Sequence, residues 1–163
     1  VRLFVQVRPP QQAVTHLREH LASVRTSTPD QWHVTLAFLG DVPAAEPLYD
    51  GLTAAAAGHE PFSLRLAGSG RFGPRATWVG VAGDIARLHS LARHVQDVCR
   101  AEGVSLEDRP YRPHLTVGGV DPRALSSYEG PAWRVSQLEL VHSVLGKRAL
   151  HTVLRAFPLS YQA

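Results

Sequence analysis

At 163 residues the chain has the length of one ordinary domain, and with 44% hydrophobic residues, 19% charged residues, 13 Gly and 12 Pro its composition excludes a disordered or fibrous protein. Apolar runs are short, so no segment approaches the roughly 20 residues of a membrane-spanning helix, and Val1-Arg2-Leu3-Phe4-Val5 reads as a strand, not a secretory leader. Cys99 is the only cysteine, which excludes an internal disulfide and a four-cysteine zinc site, and the expected location is cytoplasmic. The net charge of +3 is carried by 17 basic residues, of which Lys147 alone is not Arg; Arg suits phosphate, so an anionic partner is permitted. Nine histidines are the more informative excess.

In chain order, Arg2 to Val7 alternates as a strand, and Pro9-Pro10 opens a helix with its apolar stripe on Val14, Leu17, Leu21 and Val24. His33 to Leu39 reads as a strand ended by Gly40-Asp41, and Pro43 to Gly58 as a weaker helix. Phe62 to Ala67 and Ala76 to Val81 make a hairpin around a Gly-rich loop, Gly68 to Pro74. Ile85, Leu88, Leu91, Ala92, Val95, Val98 and Cys99 form the apolar stripe of the best helix, between Asp84 and Gly103. A proline-stiffened segment, Asp108 to Pro113, then leads into a short strand, His114 to Val117, and two β-rich segments, Ala132 to Val144 and Ala149 to Phe157, close the chain as a hairpin. The class is α+β, and with no linker to cut it, residues 1–163 are expected to form a single domain.

One tetrapeptide recurs: His33-Val34-Thr35-Leu36 and His114-Leu115-Thr116-Val117 stand 81 residues apart, half the chain, and suggest duplicated halves. Chance gives roughly 0.09 such tetrapeptides in this composition, so two are a signal. On a strand, residues i and i+2 share a face, so each His and its Thr point one way while Val34, Leu36, Leu115 and Val117 point into the core. Two imidazoles and two hydroxyls across a cleft suit a phosphodiester: one His deprotonates the attacking oxygen, the other protonates the leaving oxygen, and the hydroxyls hold the phosphoryl oxygens. Arg112, two residues before His114, is the candidate phosphate clamp. Trp32, Phe72, Trp78 and Tyr111 are candidates to stack on a base, with Phe72 favoured by its Gly-rich loop. His16 and His20 lack the Glu of a metalloprotease motif and read as solvated helix surface; His89, His94, His142 and His151 read as structural. No metal and no cofactor are called for.

These residues resemble the 2H phosphoesterases, and among them the RNA 2′,3′-cyclic phosphodiesterases, also called 2′-5′ RNA ligases. The resemblance covers Arg2-Leu3-Phe4-Val5, Trp32 to Gly40, Arg71-Phe72-Gly73-Pro74, Trp78-Val79-Gly80-Val81 and Arg109 to Thr116. It implies two pseudo-symmetric lobes, each an antiparallel sheet lining a central cleft with helices outside. It also implies that His33 is the proton donor, that His114 activates water, and that a terminal ribose cyclic phosphate opens to a 2′-phosphate. The expected partner is RNA with a 2′,3′-cyclic phosphate end, or a cyclic nucleotide, handled by a monomer without a membrane. The alternatives are a non-catalytic RNA- or nucleotide-binding module, a phosphodiesterase on a small cyclic nucleotide, and 2′-5′ joining by the reverse reaction.

Overall fold

The computed structural model describes residues 1–162 and consists of two four-stranded antiparallel sheets. The strands are β1 (Arg2–Val7), β2 (Val34–Asp41), β3 (Phe62–Arg71), β4 (Thr77–Gly83), β5 (His114–Gly118), β6 (Trp133–Val135), β7 (Gln137–Val144) and β8 (Leu150–Pro158). The helices are α1 (Gln11–His20), α2 (Tyr49–Ala57) and α3 (Ile85–Ala101). One sheet runs β2-β1-β7-β8 and the other β5-β4-β3-β6, so each repeated tetrapeptide sits on an edge strand, and these two edges adjoin.

Each half is built as strand, helix, strand: β1-α1-β2 and β4-α3-β5. The helices cross over. His16 and His20 of α1 bond to Tyr128 and Ala124, in the segment that leads into β6 of the second sheet, while Gln96 of α3 donates to the Leu36 carbonyl of β2 in the first. The buried side chains of both sheets and all three helices form one cluster, in which Leu36, Leu52, Leu88, Leu91 and Leu115 are essentially inaccessible. Removing any of these leucines to Ala leaves a cavity worth about 2–5 kcal/mol.

The stripe read on α3 is the one that is buried: Leu88, Leu91, Ala92, Val95 and Cys99 face inward, and burial pushes the Cys99 thiol up to about 11, as fits an inert core residue. Other boundaries moved. The segment Pro43 to Gly58 is a single 3₁₀ turn, Glu46–Leu48, followed by the shorter α2. α1 ends at His20, which leaves Val24 exposed. The Gly-rich stretch after Ala67 is strand, because Gly68 takes φ +77° at a bulge and β3 continues to Arg71. The segment Ala132 to Val144 is two strands: β6 pairs with β3 in one sheet, β7 with β1 and β8 in the other, and Ser136 carries the chain between them.

Candidate active site

The alternation read at the two motifs holds. Val34, Leu36, Leu115 and Val117 are buried, whereas His33, Thr35, His114 and Thr116 are left on the accessible face. His33 falls one residue before β2 and His114 is the first residue of β5, so each imidazole stands where its edge strand begins.

Both rings are fixed in the same way. His33 Nδ1–H donates to the Gln31 carbonyl at 2.7 Å, and His114 Nδ1–H donates to the Arg112 carbonyl at 2.6 Å. A ring whose Nδ1 carries that proton leaves Nε2 to take or give another. The two carbonyls are held by different means. Gln31 lies in a 3₁₀ turn, Pro29–Gln31, clamped by the Arg8 guanidinium, which donates to the carbonyls of Trp32 and Pro29. Arg112 lies between Pro110 and Pro113, whose rings stiffen the approach to β5.

The electrostatics of the first motif are distinctive. Burial pushes the His33 imidazole down to about 4; the positive charges of His151, Arg8 and His114 act in the same direction, and the Gln31 carbonyl opposes them. His33 is therefore neutral in the ligand-free protein at neutral pH. That His114 acts on it at all places the two motif rings in one field.

Aromatic rings line both imidazoles. Phe72 stands edge-on to His114 with centroids 5.0 Å apart, and Trp78 lies 6.2 Å from it. Phe72 is 43% exposed, so its free face looks outward. Trp78 lies over β3 because residue 70 is glycine: a Cβ there would come within 2.1 Å of the indole Cζ2. Trp32 is core, 1% exposed with Nε1–H donating to Ser27 Oγ. The Tyr111 hydroxyl donates to the Thr35 carbonyl at 2.7 Å, which ties the approach to the second motif onto the backbone of the first. The Arg112 side chain is exposed and takes part in no salt bridge among the described residues. His16 and His20 are exposed on the helix surface, as read, and each also bonds across to the other half, to Tyr128 at 2.7 Å and to the Ala124 carbonyl at 2.8 Å.

One residue of the site escaped the sequence. His151, on β8, lies 5.6 Å from His33, edge to face, with Phe4 packed against both rings at 4.8 and 5.0 Å. Its Nδ1 is shielded from solvent and has no hydrogen-bond partner. No motif marks it, because it reaches the site through the fold of the final hairpin, which Gln31 Nε2 anchors by donating to the Ala149 carbonyl at 2.7 Å. Among the described residues no group of three His, Cys, Asp or Glu is placed to hold a metal ion, and no helix is long and apolar enough to cross a membrane.

Two pseudo-symmetric sheets, each presenting a His-x-Thr edge strand to the other, define a 2H phosphoesterase fold. The chain belongs to the 2′-5′ RNA ligase superfamily, whose family model matches residues 3–144. It is 38% identical over 145 residues to an RNA 2′,3′-cyclic phosphodiesterase of Geobacillus stearothermophilus, covering 80% of this chain but spanning less than half, 46%, of that relative. A relative of the same description from Thermus thermophilus is 33% identical, over 98% of this chain and 90% of its own length. Among solved structures, the apo form of Escherichia coli LigT matches with a TM-score of 0.80 at 25% identity over 98% of both chains. A Thermus thermophilus structure matches with 0.77 at 30%, also over 98% of both. The E. coli protein has also been solved with 3′-AMP.

Proposed function

We propose that the chain hydrolyses the 2′,3′-cyclic phosphate at the end of an RNA to a 2′-phosphate, using two histidines and no metal. The observation that carries this reading is the matched tethering of His33 and His114, which leaves Nε2 of each ring free where two adjoining edge strands begin, two residues before a threonine hydroxyl. Family membership and relatives described as RNA 2′,3′-cyclic phosphodiesterases support it.

In the reaction, His114 Nε2 takes a proton from water as its oxygen attacks phosphorus, the P–O3′ bond breaks in line, and His33 Nε2–H delivers its proton to O3′. Thr35 and Thr116 hydroxyls donate to the phosphoryl oxygens, with Arg112 as the added cation. Phe72 borders the His114 imidazole, and Tyr111 holds the two motif segments together. Because His33 is neutral when the site is empty, substrate binding is coupled to uptake of a proton from solvent: the phosphate charge raises the proton affinity of His33 and arms the acid. After turnover the proton has moved from His33 to His114, and exchange with solvent resets both.

The test is incubation of the purified chain with an RNA oligonucleotide ending in a 2′,3′-cyclic phosphate, with the product ends separated. Ring opening is expected, and an oligonucleotide that stays cyclic would overturn the reading in favour of a binding module.

A further inference from the structure

Beside His33 lies a cavity of about 330 Å³ that the reaction as written does not use. We propose that this cavity, bounded by Gln6, Gln31, Glu139, His151 and Val153, is the subsite for the ribonucleoside that bears the cyclic phosphate. The inference rests on the function proposed above and says where the rest of the substrate goes.

The placement follows from the chemistry. O3′ is an atom of the ribose, so if His33 protonates O3′ on departure, the ribose lies on the His33 side of phosphorus and the attacking water on the His114 side. The nucleoside must then extend over the sheet that carries His33. Strand register identifies the groups it meets: Thr35 pairs with Gln6, Gln6 with Glu139, Phe4 with Val141, and Val141 with Val153. Directly paired residues project from the same face. The Thr35 hydroxyl, the Gln6 amide, the Glu139 carboxylate and the Val141 and Val153 side chains therefore share one surface. The cavity opens there, between the Asp30-Gln31 turn and the last hairpin. His33 is not in its wall, but Gln31 and His151, which both flank His33, are.

The lining is wrong for a phosphate and right for a nucleoside. Glu139 is held by Gln6 Nε2 at 2.8 Å and Gln137 Nε2 at 3.2 Å, which orients the carboxylate and leaves acceptor positions open. Asp30 adds a second carboxylate at the rim. The one cation in the wall, Arg8, is bonded through Nη1 and Nη2 to the carbonyls of Trp32 and Pro29. Such a pocket repels a phosphate and accepts the N–H and O–H donors of a base and a ribose. Val153, exposed above the fully buried Val141, supplies an apolar surface, and the His151 ring stands in the wall. The volume is at the small end for small-molecule sites, which suits one nucleoside and not two.

The experiment compares kcat/KM for adenosine 2′,3′-cyclic phosphate with that for methyl riboside 2′,3′-cyclic phosphate, which keeps the reacting ring and lacks the base. The wild-type chain should prefer the nucleoside by at least about tenfold, and Glu139→Gln and His151→Ala should each shrink that preference, chiefly through KM. Because the preference is a ratio within one protein sample, a variant that folds poorly loses both rates and keeps the ratio. Equal kcat/KM for the two substrates in the wild type, or a preference untouched in both variants, would overturn the subsite while leaving the proposed reaction standing. If the wild type opens neither substrate nor a cyclic-ended RNA, it is the reaction itself that fails.

Discussion

His33 and His114 are oriented by one and the same bond, ring Nδ1–H to the carbonyl two residues earlier in the chain. The duplicated halves thus fix the same tautomer twice, yet in different surroundings: His33 is packed against Phe4 and His151, and His114 against Phe72 and Trp78. In the proposed reaction the shared orientation presents both rings to phosphorus, and the unequal surroundings separate the acid from the base.

Replacing either ring should remove the reaction without removing the fold, since neither side chain is part of the buried core. His33→Ala and His114→Ala are each expected to lower kcat by at least about a hundredfold, the range for a positioned acid or base. Steady-state rates on a cyclic-ended oligonucleotide, with circular dichroism to verify folding, measure this. Near-normal turnover in either variant would contradict the two-histidine mechanism.

The depressed proton affinity of His33 has a consequence for stability as well as for rate. Its folded value, about 4, lies below the ordinary 6.5, so between these pH values the unfolded chain binds more protons than the folded one. Stability should then be fully present above pH 6.5 and fall as the pH drops towards 4, by an amount on the order of 3 kcal/mol for a shift of this size. His33→Phe should flatten that slope. Urea titrations between pH 4 and 7 give the answer; parallel slopes in the two proteins would show that His33 titrates normally.

Much of the site is legible in the sequence, because a two-residue period on a strand is a local property: His33 with Thr35, and His114 with Thr116, need only their own backbone to share a face. What the sequence hides is set by non-local pairing. His151 reaches His33 only because the last hairpin is anchored by Gln31, 118 positions before its partner Ala149. The segment from Ala132 to Val144 reads as one β-rich stretch because apolar residues recur along its whole length, and no Gly or Pro in it announces that Ser136 steps from one sheet to the other. The glycines at 68 and 70 read as a loop, but one supplies the left-handed backbone of a bulge and the other clears room for Trp78, both within a strand.

Gly70 gives a direct test of that packing. Gly70→Ala places a methyl group on the Trp78 indole, which must move, and Trp78 in turn lies against Phe72 and His114. The variant is expected to shift the tryptophan fluorescence and to lower kcat more than it raises KM, since the displaced ring borders His114, the proposed base. Unchanged emission and unchanged kcat would show that the close contact relaxes without consequence.

Arg8, which also lines the cavity, is expected to matter chiefly through His33. Its guanidinium spans the carbonyls of Pro29 and Trp32 and so holds the turn whose Gln31 carbonyl fixes the His33 tautomer. Arg8→Lys keeps the charge but loses the fork. It should mix the His33 tautomers, visible in the ¹⁵N shifts of the imidazole, and lower kcat by about tenfold, the scale of a small misplacement of a reacting group. A single tautomer at full activity would mean that the turn needs no clamp.

The direction of ring opening is the sharpest consequence of giving the two histidines different tasks. A 2′,3′-cyclic phosphate has two ester oxygens that can leave, and only the one opposite the attacking water departs in line. With water activated at His114 and the acid fixed at His33, a substrate docked in one orientation has one leaving oxygen. The cavity beside His33, as the proposed nucleoside subsite, would supply that orientation by holding the nucleoside on one side of phosphorus. If O3′ is the oxygen presented to His33, the product carries a 2′-phosphate and a free 3′-hydroxyl, and ³¹P spectroscopy against authentic 2′- and 3′-monophosphates should show the first alone. A mixture of both isomers would mean that the nucleoside is not held in one orientation. A pure 3′-phosphate would mean that it is held in the other, with O2′ facing the acid.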